Sequence, residues 1–267
     1  MEWANVVAAV EDAEQHGTVG VSVIGPDGGR WAHNGDRKFR AASIVKIPLM
    51  IEVYRRVERG ETALDSIHRL KAGEKAPGSG VMLHLHDGVE LTINDLIYLT
   101  ISISDNTATN LLIRLSGMGA VNATMRELKM TGSNLGREMK NRPAVEGEQE
   151  NWSTADDYTN VLQAILDGKA ASAASCEAMI EMLRKQQSRK RISRFLPEDE
   201  SIVWGSKTGS IKSVTNDAGF IRTPRGTLII TVLCEGMGDQ HRGEQVIGEI
   251  SRAAMIDTGI VEPLPII

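Results

Sequence analysis

Three short groups of residues in this 267-residue chain carry side chains that could do nucleophilic chemistry together. The first is Ser43-Ile44-Val45-Lys46. A serine hydroxyl is a weak nucleophile until a base takes its proton. Residues three apart on a helix share a face, so Lys46 can reach Ser43. A lysine in a dry, positively charged cleft has a depressed pKa and can act as that base. The second group is Ser104-Asp105-Asn106, and the third is Lys207-Thr208-Gly209 followed by Ser210. Each alone has an ordinary explanation: a surface helix turn, a helix N-cap, and a strand end running into a turn. Composition alone yields about 0.7 Ser-x-x-Lys pairs in such a chain, but all three groups together only about 0.002 times. Their order and placement, at a helix start, an interhelix loop and a strand, strengthen the signal.

The elements that must position these groups are legible from periodicity. Residues 3–15 form an amphipathic pattern, followed by strand-like runs at Val19–Ile24 and Arg30–His33 around the turn Gly25-Pro26-Asp27-Gly28-Gly29. From Ser43, apolar residues recur at helical spacing to Val57, and Pro48 requires the helix to start close to Ser43. Helices are predicted over 92–103, with Thr92 and Asp95 as a capping box, and over 107–116, 154–168 and 175–187. Residues 133–152 read as a long polar loop. Strands follow at Ser201–Lys207, Asp217–Arg222 and Gly226–Cys234, the last two joined at Thr223-Pro224-Arg225-Gly226, then a helix over 241–256.

Strands at both ends with helices between them predict an α+β fold: one antiparallel sheet flanked by the terminal helices, plus an all-α lobe. The expected organisation is a single domain over 1–267. Its α/β lobe comprises about 1–42 and 200–267, its all-α lobe about 43–199, and the catalytic cleft lies between them.

Composition narrows the function classes. Hydrophobic residues at 41% and charged residues at 24% describe an ordinary globular chain, and a net charge of −5 offers no basic stripe for nucleic acid. The basic run from Arg184 to Arg194 reads as a solvated helix face. Cys176 and Cys234 make no disulfide framework, and Cys234, within an apolar strand, reads as core rather than nucleophile. No apolar stretch is long enough to span a membrane. The first residues, Met1-Glu2-Trp3-Ala4-Asn5, lack a basic n-region and an apolar h-region. The chain as given therefore reads as cytoplasmic, or as periplasmic or secreted if a leader has been removed. His84-Leu85-His86 alternates as a strand would, but no third ligand lies nearby, so a polar surface loop is the better reading and no metal is expected. Ser206-Lys207-Thr208 is not a phosphate loop, because Ser206 and Ser201 stand where that loop needs glycines.

The three groups together resemble the set carried by class A serine β-lactamases and penicillin-recognising serine hydrolases. From about residue 18 to 256 the likeness extends to Gly78-Ser79-Gly80, Leu91–Leu96, Ser104–Leu112 and Gly219–Gly226. The resemblance implies an acyl-enzyme on Ser43, with Lys46 as base or proton relay and Ser104 passing a proton to the leaving nitrogen. Asn106 would bind the substrate's side-chain amide and hold Lys46. Lys207 would lower the Lys46 pKa and attract a substrate carboxylate, which Thr208 would hydrogen-bond. Gly209 and Ser210 would complete the binding wall, with the backbone N–H groups of Ser43 and Ser210 as oxyanion hole. The implied substrate is a small acyl compound, a β-lactam, amide or ester, and no cofactor is required.

Two departures from the family stand out. Its deacylating Glu-x-x-Leu-Asn is absent, and aligning Arg137 on the family's loop arginine puts the Glu position on Met139. Glu138 is the nearest substitute base, with Glu146, Glu148 and Glu150 further on. Where many relatives carry an arginine that grips the substrate carboxylate, this chain has Asn216. Both departures favour slow β-lactam turnover. The alternatives are a related esterase, amidase or D-amino-acid peptidase, or a β-lactam-binding protein that acylates and stalls.

Overall fold

The computed structural model describes residues 2–142 and 144–262. Helix α1 (Ala4–Glu14) leads into strands β1 (Thr18–Ile24), β2 (Arg30–His33) and β3 (Phe39–Arg40). A 3₁₀ turn over Ala42–Val45 precedes α2 (Lys46–Glu58). The helical part continues with β4 (Ile67–Arg69), β5 (Glu90–Thr92), α3 (Ile93–Ser102), α4 (Asn106–Ser116), α5 (Met118–Glu127), β6 (Trp152–Ser153), α6 (Ala155–Leu166) and α7 (Ala173–Arg184). The chain closes with β7 (Val203–Ile211), β8 (Val214–Thr223), β9 (Gly226–Glu235) and α8 (Gln240–Asp257).

The main sheet is antiparallel in the order β2-β1-β9-β8-β7, so β9 joins the N-terminal hairpin to the C-terminal one. Strand β9 shows why its sequence is apolar throughout rather than alternating. Its successive side chains point to opposite faces, and both faces are covered. Leu228, Ile230, Val232 and Cys234 enter an outer core shared with α1 and α8. Ile229 and Leu233 enter an inner core shared with α2, α3, α4, α6 and α7. Helix α6 packs directly on the sheet, where the Thr159 hydroxyl donates to the Ser22 carbonyl (3.1 Å) and accepts from the Thr231 hydroxyl (2.9 Å). Ile192 and Leu196 belong to the outer core although they precede β7.

The α+β architecture predicted from the order of elements is the one observed. Thr92 and Asp95 form the predicted capping box of α3. Two local readings change, one helix was not expected, and His84 and His86 lie exposed, as in a surface loop. The helix expected from Ser43 begins as the 3₁₀ turn, and α2 proper starts at Lys46. Lys207-Thr208-Gly209 lies within β7 rather than at its end, because pairing with β8 runs on to Ile211↔Val214. Helix α5 has no strong apolar stripe to announce it, since only Val121, Thr124 and Met125 are buried. His84 ends a 3₁₀ turn (Met82–His84), so His84 and His86 do not share a strand face. Among the described residues no helix is long and apolar enough to cross a membrane, and no group of three or more His, Cys, Asp or Glu could hold a metal ion.

Candidate active site

Ser43 lies in the 3₁₀ turn between β3 and α2, with Lys46 three residues on at its C-cap, a spacing that puts the two side chains on one side of the turn. The turn is forced tight: Ala42 has φ 47°, in the left-handed region. It is also pressed against β7. A Cβ on Gly209 would lie 3.0 Å from both the Ala41 carbonyl oxygen and the Ser43 nitrogen, so only glycine lets the strand pass the nucleophile this closely. Asn216 braces the turn from β8, its Nδ2 donating to the carbonyls of Arg40 (2.9 Å) and Ala41 (3.2 Å). The side chain at 216 thus holds backbone and is not directed to a substrate carboxylate.

Lys46 is fully buried, and its Nζ makes three contacts: the Ser104 carbonyl (2.8 Å), the Ser104 hydroxyl (2.9 Å) and Asn106 Oδ1 (3.0 Å). Burial lowers its pKa well below the usual lysine value, and the charge of Lys207 lowers it further, against a smaller opposing effect of Asp105. A neutral amine donates two protons. It can give both to the two obligate acceptors, the Ser104 carbonyl and Asn106 Oδ1, and keep its lone pair to take a proton.

Ser104 stands on the strained bend between α3 and α4, at φ 60°. That bend is clamped by its neighbour. One carboxylate oxygen of Asp105 caps α4 by accepting from the Ala108 N–H (3.0 Å). The other accepts from the N–H groups of Val81 (2.7 Å) and Met82 (2.8 Å). Asn106 Nδ2 is committed to the Pro77 carbonyl (2.9 Å). The stretch 77–82 thereby locks both residues that hold Lys46, and Gly80 is obligatory there, since a Cβ would fall 2.2 Å from an Asp105 carboxylate oxygen.

Lys207 is also fully buried, its Nζ donating to the Thr208 carbonyl (2.9 Å). Burial brings its pKa down to about 7; Asp217 opposes this and Arg191 reinforces it. A cleft of about 50 Å³ opens beside Ser43, and its walls include Asn106, Glu138, Met139, Asn141, Glu150 and Ser210. Thr208 and Ser210 point to the same face of β7, two residues apart.

A buried arginine, Arg191, braces the back of β7 and β8. Its Nη1 donates to the carbonyls of Gly209 (3.0 Å) and Asn216 (2.7 Å). Its Nη2 donates to Ser210 Oγ (2.5 Å) and pairs with Glu244 (3.3 Å). This corrects the reading of residues 184–194 as a solvated helix face: α7 ends at Arg184, and Arg191 is 4% exposed behind β7. Nothing in the charge run distinguishes Arg191, because its burial arises from the segment folding back across β7 and β8.

The 133–152 loop closes on itself through Arg137, which donates to both oxygens of Glu150 (3.0 and 3.2 Å), and through Asn151 Oδ1, which accepts from the N–H groups of Gly136 (2.7 Å) and Arg137 (3.0 Å). Met139 is pinned at the cleft by Asn110 of α4: its N–H donates to Asn110 Oδ1 (2.8 Å) and its carbonyl accepts from Asn110 Nδ2 (3.0 Å). Glu138, the sequence's substitute base, has both carboxylate oxygens occupied by Arg114, at 2.8 and 2.9 Å. The structure thus brings together Ser43, Lys46, Ser104, Asn106, Lys207, Thr208, Gly209 and Ser210, while the Glu138 carboxylate is held by α4.

A serine in a tight turn, a buried lysine whose pKa is lowered and a second serine hydroxyl on that lysine's amine fit one class, a serine-based acyl-transfer enzyme. The sequence model of the family described as "Beta-lactamase enzyme family" matches residues 2–257. A solved β-lactamase from Sphaerobacter thermophilus is 58% identical, with a TM-score of 0.97 over 98% of this chain and 100% of that one. A β-lactamase of Bacteroides uniformis is 25% identical over 251 residues, 88% of this chain and 84% of its own. A carbapenem-hydrolysing β-lactamase of Klebsiella oxytoca is 26% identical, covering 91% of this chain and 85% of its own. The chain belongs to the β-lactamase enzyme family, as a serine hydrolase of the class A type.

Proposed function

We propose that this protein opens β-lactam rings by acylating Ser43, and that clearance of the acyl-enzyme is its slow step. Lys46 takes the Ser43 proton. Ser104, already on the Lys46 amine, passes a proton to the leaving nitrogen. Lys207 attracts the substrate carboxylate, and Thr208 and Ser210 bind it. Arg191 adds charge through Ser210 from behind the strand. The observation that carries this reading is the set of Lys46 contacts: a fully buried lysine whose three partners are the Ser104 carbonyl, the Ser104 hydroxyl and Asn106. Burial, helped by the charge of Lys207, lowers its pKa and so favours the neutral form a base needs.

The slow-clearance half rests on Met139. Asn110 fixes this residue's backbone at the cleft wall, where an apolar side chain cannot activate water. A protein that acylates and stalls, without useful turnover, is the second reading favoured by the same residue. Intact mass followed after mixing with a chromogenic cephalosporin tests both. An adduct that Ser43→Ala abolishes, decaying while colour release continues, supports the hydrolase. A single burst with a persistent adduct supports the stalled form. The absence of any adduct overturns β-lactam recognition.

A further inference from the structure

Lys207 and Arg191 are both buried at β7, and a buried cation is costly without a negative charge beside it. Arg191 has one in Glu244 of α8, at 3.3 Å. Lys207 donates only to a neutral group, the Thr208 carbonyl. Asp217 of β8, 1% exposed, is the other buried carboxylate that acts on this pair.

The strand register places Asp217 opposite Thr208. Ala218 and Phe220 enter the inner core and Ile221 the outer one, so Asp217 shares the outer face of β8 with Ile221. There its Oδ2 accepts from the Ile192 N–H (3.2 Å), and the Ile192 carbonyl accepts from Ser251 Oγ of α8 (2.8 Å). Those bonds fix the residue next to Arg191. Arg191 Nη1 in turn donates to the carbonyl of Asn216, the residue before Asp217 (2.7 Å).

The charges influence one another in both directions. Burial raises the Asp217 pKa, while Arg191, the Ile192 N–H, the Ser206 hydroxyl and Lys207 oppose that rise. Burial lowers the Lys207 pKa to about 7; Asp217 opposes that fall and Arg191 adds to it. The other ionisable groups packed here do not replace Asp217. Glu244 of α8 is paired with Arg191. Lys46 of α2 is driven toward the neutral amine by burial. Cys234 of β9 is uncharged, since burial pushes its thiol up to about 12.

We propose that Asp217 is a positioning residue for acylation: its carboxylate is the counter-charge that keeps Lys207 cationic, and its bond to Ile192 seats Arg191 behind Ser210. This rests on the functional reading above, in which Lys207 captures the substrate carboxylate.

The test follows the second-order rate constant for acylation of Ser43 by the chromogenic cephalosporin, read by intact mass from about pH 5 to about pH 9. Asp217→Asn removes the charge and leaves an oxygen to accept from the Ile192 N–H. Its alkaline limb should move about one pH unit toward acid, so the rate constant above the limb falls about tenfold while the value well below it is nearly kept. Arg191→Gln removes the opposing cation and should move the limb the other way. An Asp217→Asn limb that stays in place, with the rate constant reduced equally at every pH, makes Asp217 a brace for the sheet and overturns the inference. So does an Arg191→Gln limb that moves toward acid, or a wild type with no alkaline limb. Asp217→Ser repeats the measurement if the asparagine variant does not fold, and loss of folding in both overturns the inference as well. Each of these outcomes leaves acylation of Ser43 standing. A wild type that forms no Ser43 adduct overturns the functional reading and this inference with it.

Discussion

Two walls of one cleft are built to different standards. The wall that carries Ser43, Lys46 and Ser104 is overdetermined. Asp105 clamps the Ser104 bend with three backbone hydrogen bonds, Asn106 ties Lys46 to the 77–82 stretch, and Gly209 admits β7 to contact with the nucleophile turn. The facing loop is equally well held, by Arg137–Glu150 and Asn110–Met139, and it lines the cleft with Met139 between two carboxylates already taken by arginines, Glu138 by Arg114 and Glu150 by Arg137. Rigidity is common to both walls, but only the first holds a lysine of lowered pKa. On the proposed mechanism the molecule is preorganised for acylation, while the loop's order alone does nothing for the water that must follow.

Several substitutions can break or sharpen that contrast. The largest effect is expected from Lys46→Met, which removes the base and should slow acylation by about 10³-fold. In the unsubstituted enzyme the apparent acylation rate constant, kcat/KM, should have two limbs. It rises with pH as Lys46 deprotonates, at a pH well below the usual lysine range. It falls as Lys207, with its pKa near 7, loses the charge that attracts the substrate carboxylate. An alkaline limb that persists unchanged in Lys207→Gln would break the second assignment.

Met139→Glu should act on the other wall, speeding loss of the acyl-enzyme by about 10–100-fold while changing acylation little, as expected of an added general base. Adduct decay by mass measures this, and an unaltered decay with the loop still folded would show that water does not reach this position. Arg191→Gln should lower kcat/KM by about tenfold through its loss of charge behind Ser210, mainly in KM, for substrates bearing the ring carboxylate. An equal effect on a substrate lacking that carboxylate would reduce Arg191 to a brace for β7 and β8. The smallest effect is expected from Glu138→Gln. Its carboxylate already serves Arg114, an exposed pair of small energetic weight, so deacylation should change by less than about twofold. A larger loss would restore Glu138 as the water-activating group.

Much of the acylating wall was legible in advance because its residues recur as short local groups. Ser43 and Lys46 are neighbours on one turn, Ser104 and Asn106 flank one helix cap, and Lys207 to Ser210 share one strand, so spacing alone nearly fixes each group's geometry. Capping at Thr92 and the turn at Thr223–Gly226 were readable for the same reason. The failures are nonlocal. Arg191 looked solvated because burial is a property of the fold, and the basic residues around it follow the opposite rule. At Asn216 the sequence shows only that an arginine is missing; the side chain's hold on the carbonyls of Arg40 and Ala41, far away in sequence, is not written in its strand. Glu138 looked available until Arg114, on α4, was found to hold both its oxygens.

The sequence by itself determined the elements, the order of the sheet's contributors as an α+β arrangement, and the short groups from which the proposed nucleophile and its lysine come. Those depend on periodicity and on contacts within a few residues. Only the tertiary structure decided which charges meet: that Lys207 depresses Lys46, that Arg191 lies behind β7, and that Met139 closes the loop side of the cleft. Charge and solvation are set by neighbours from distant segments, and a linear pattern carries no record of those neighbours until the chain has folded.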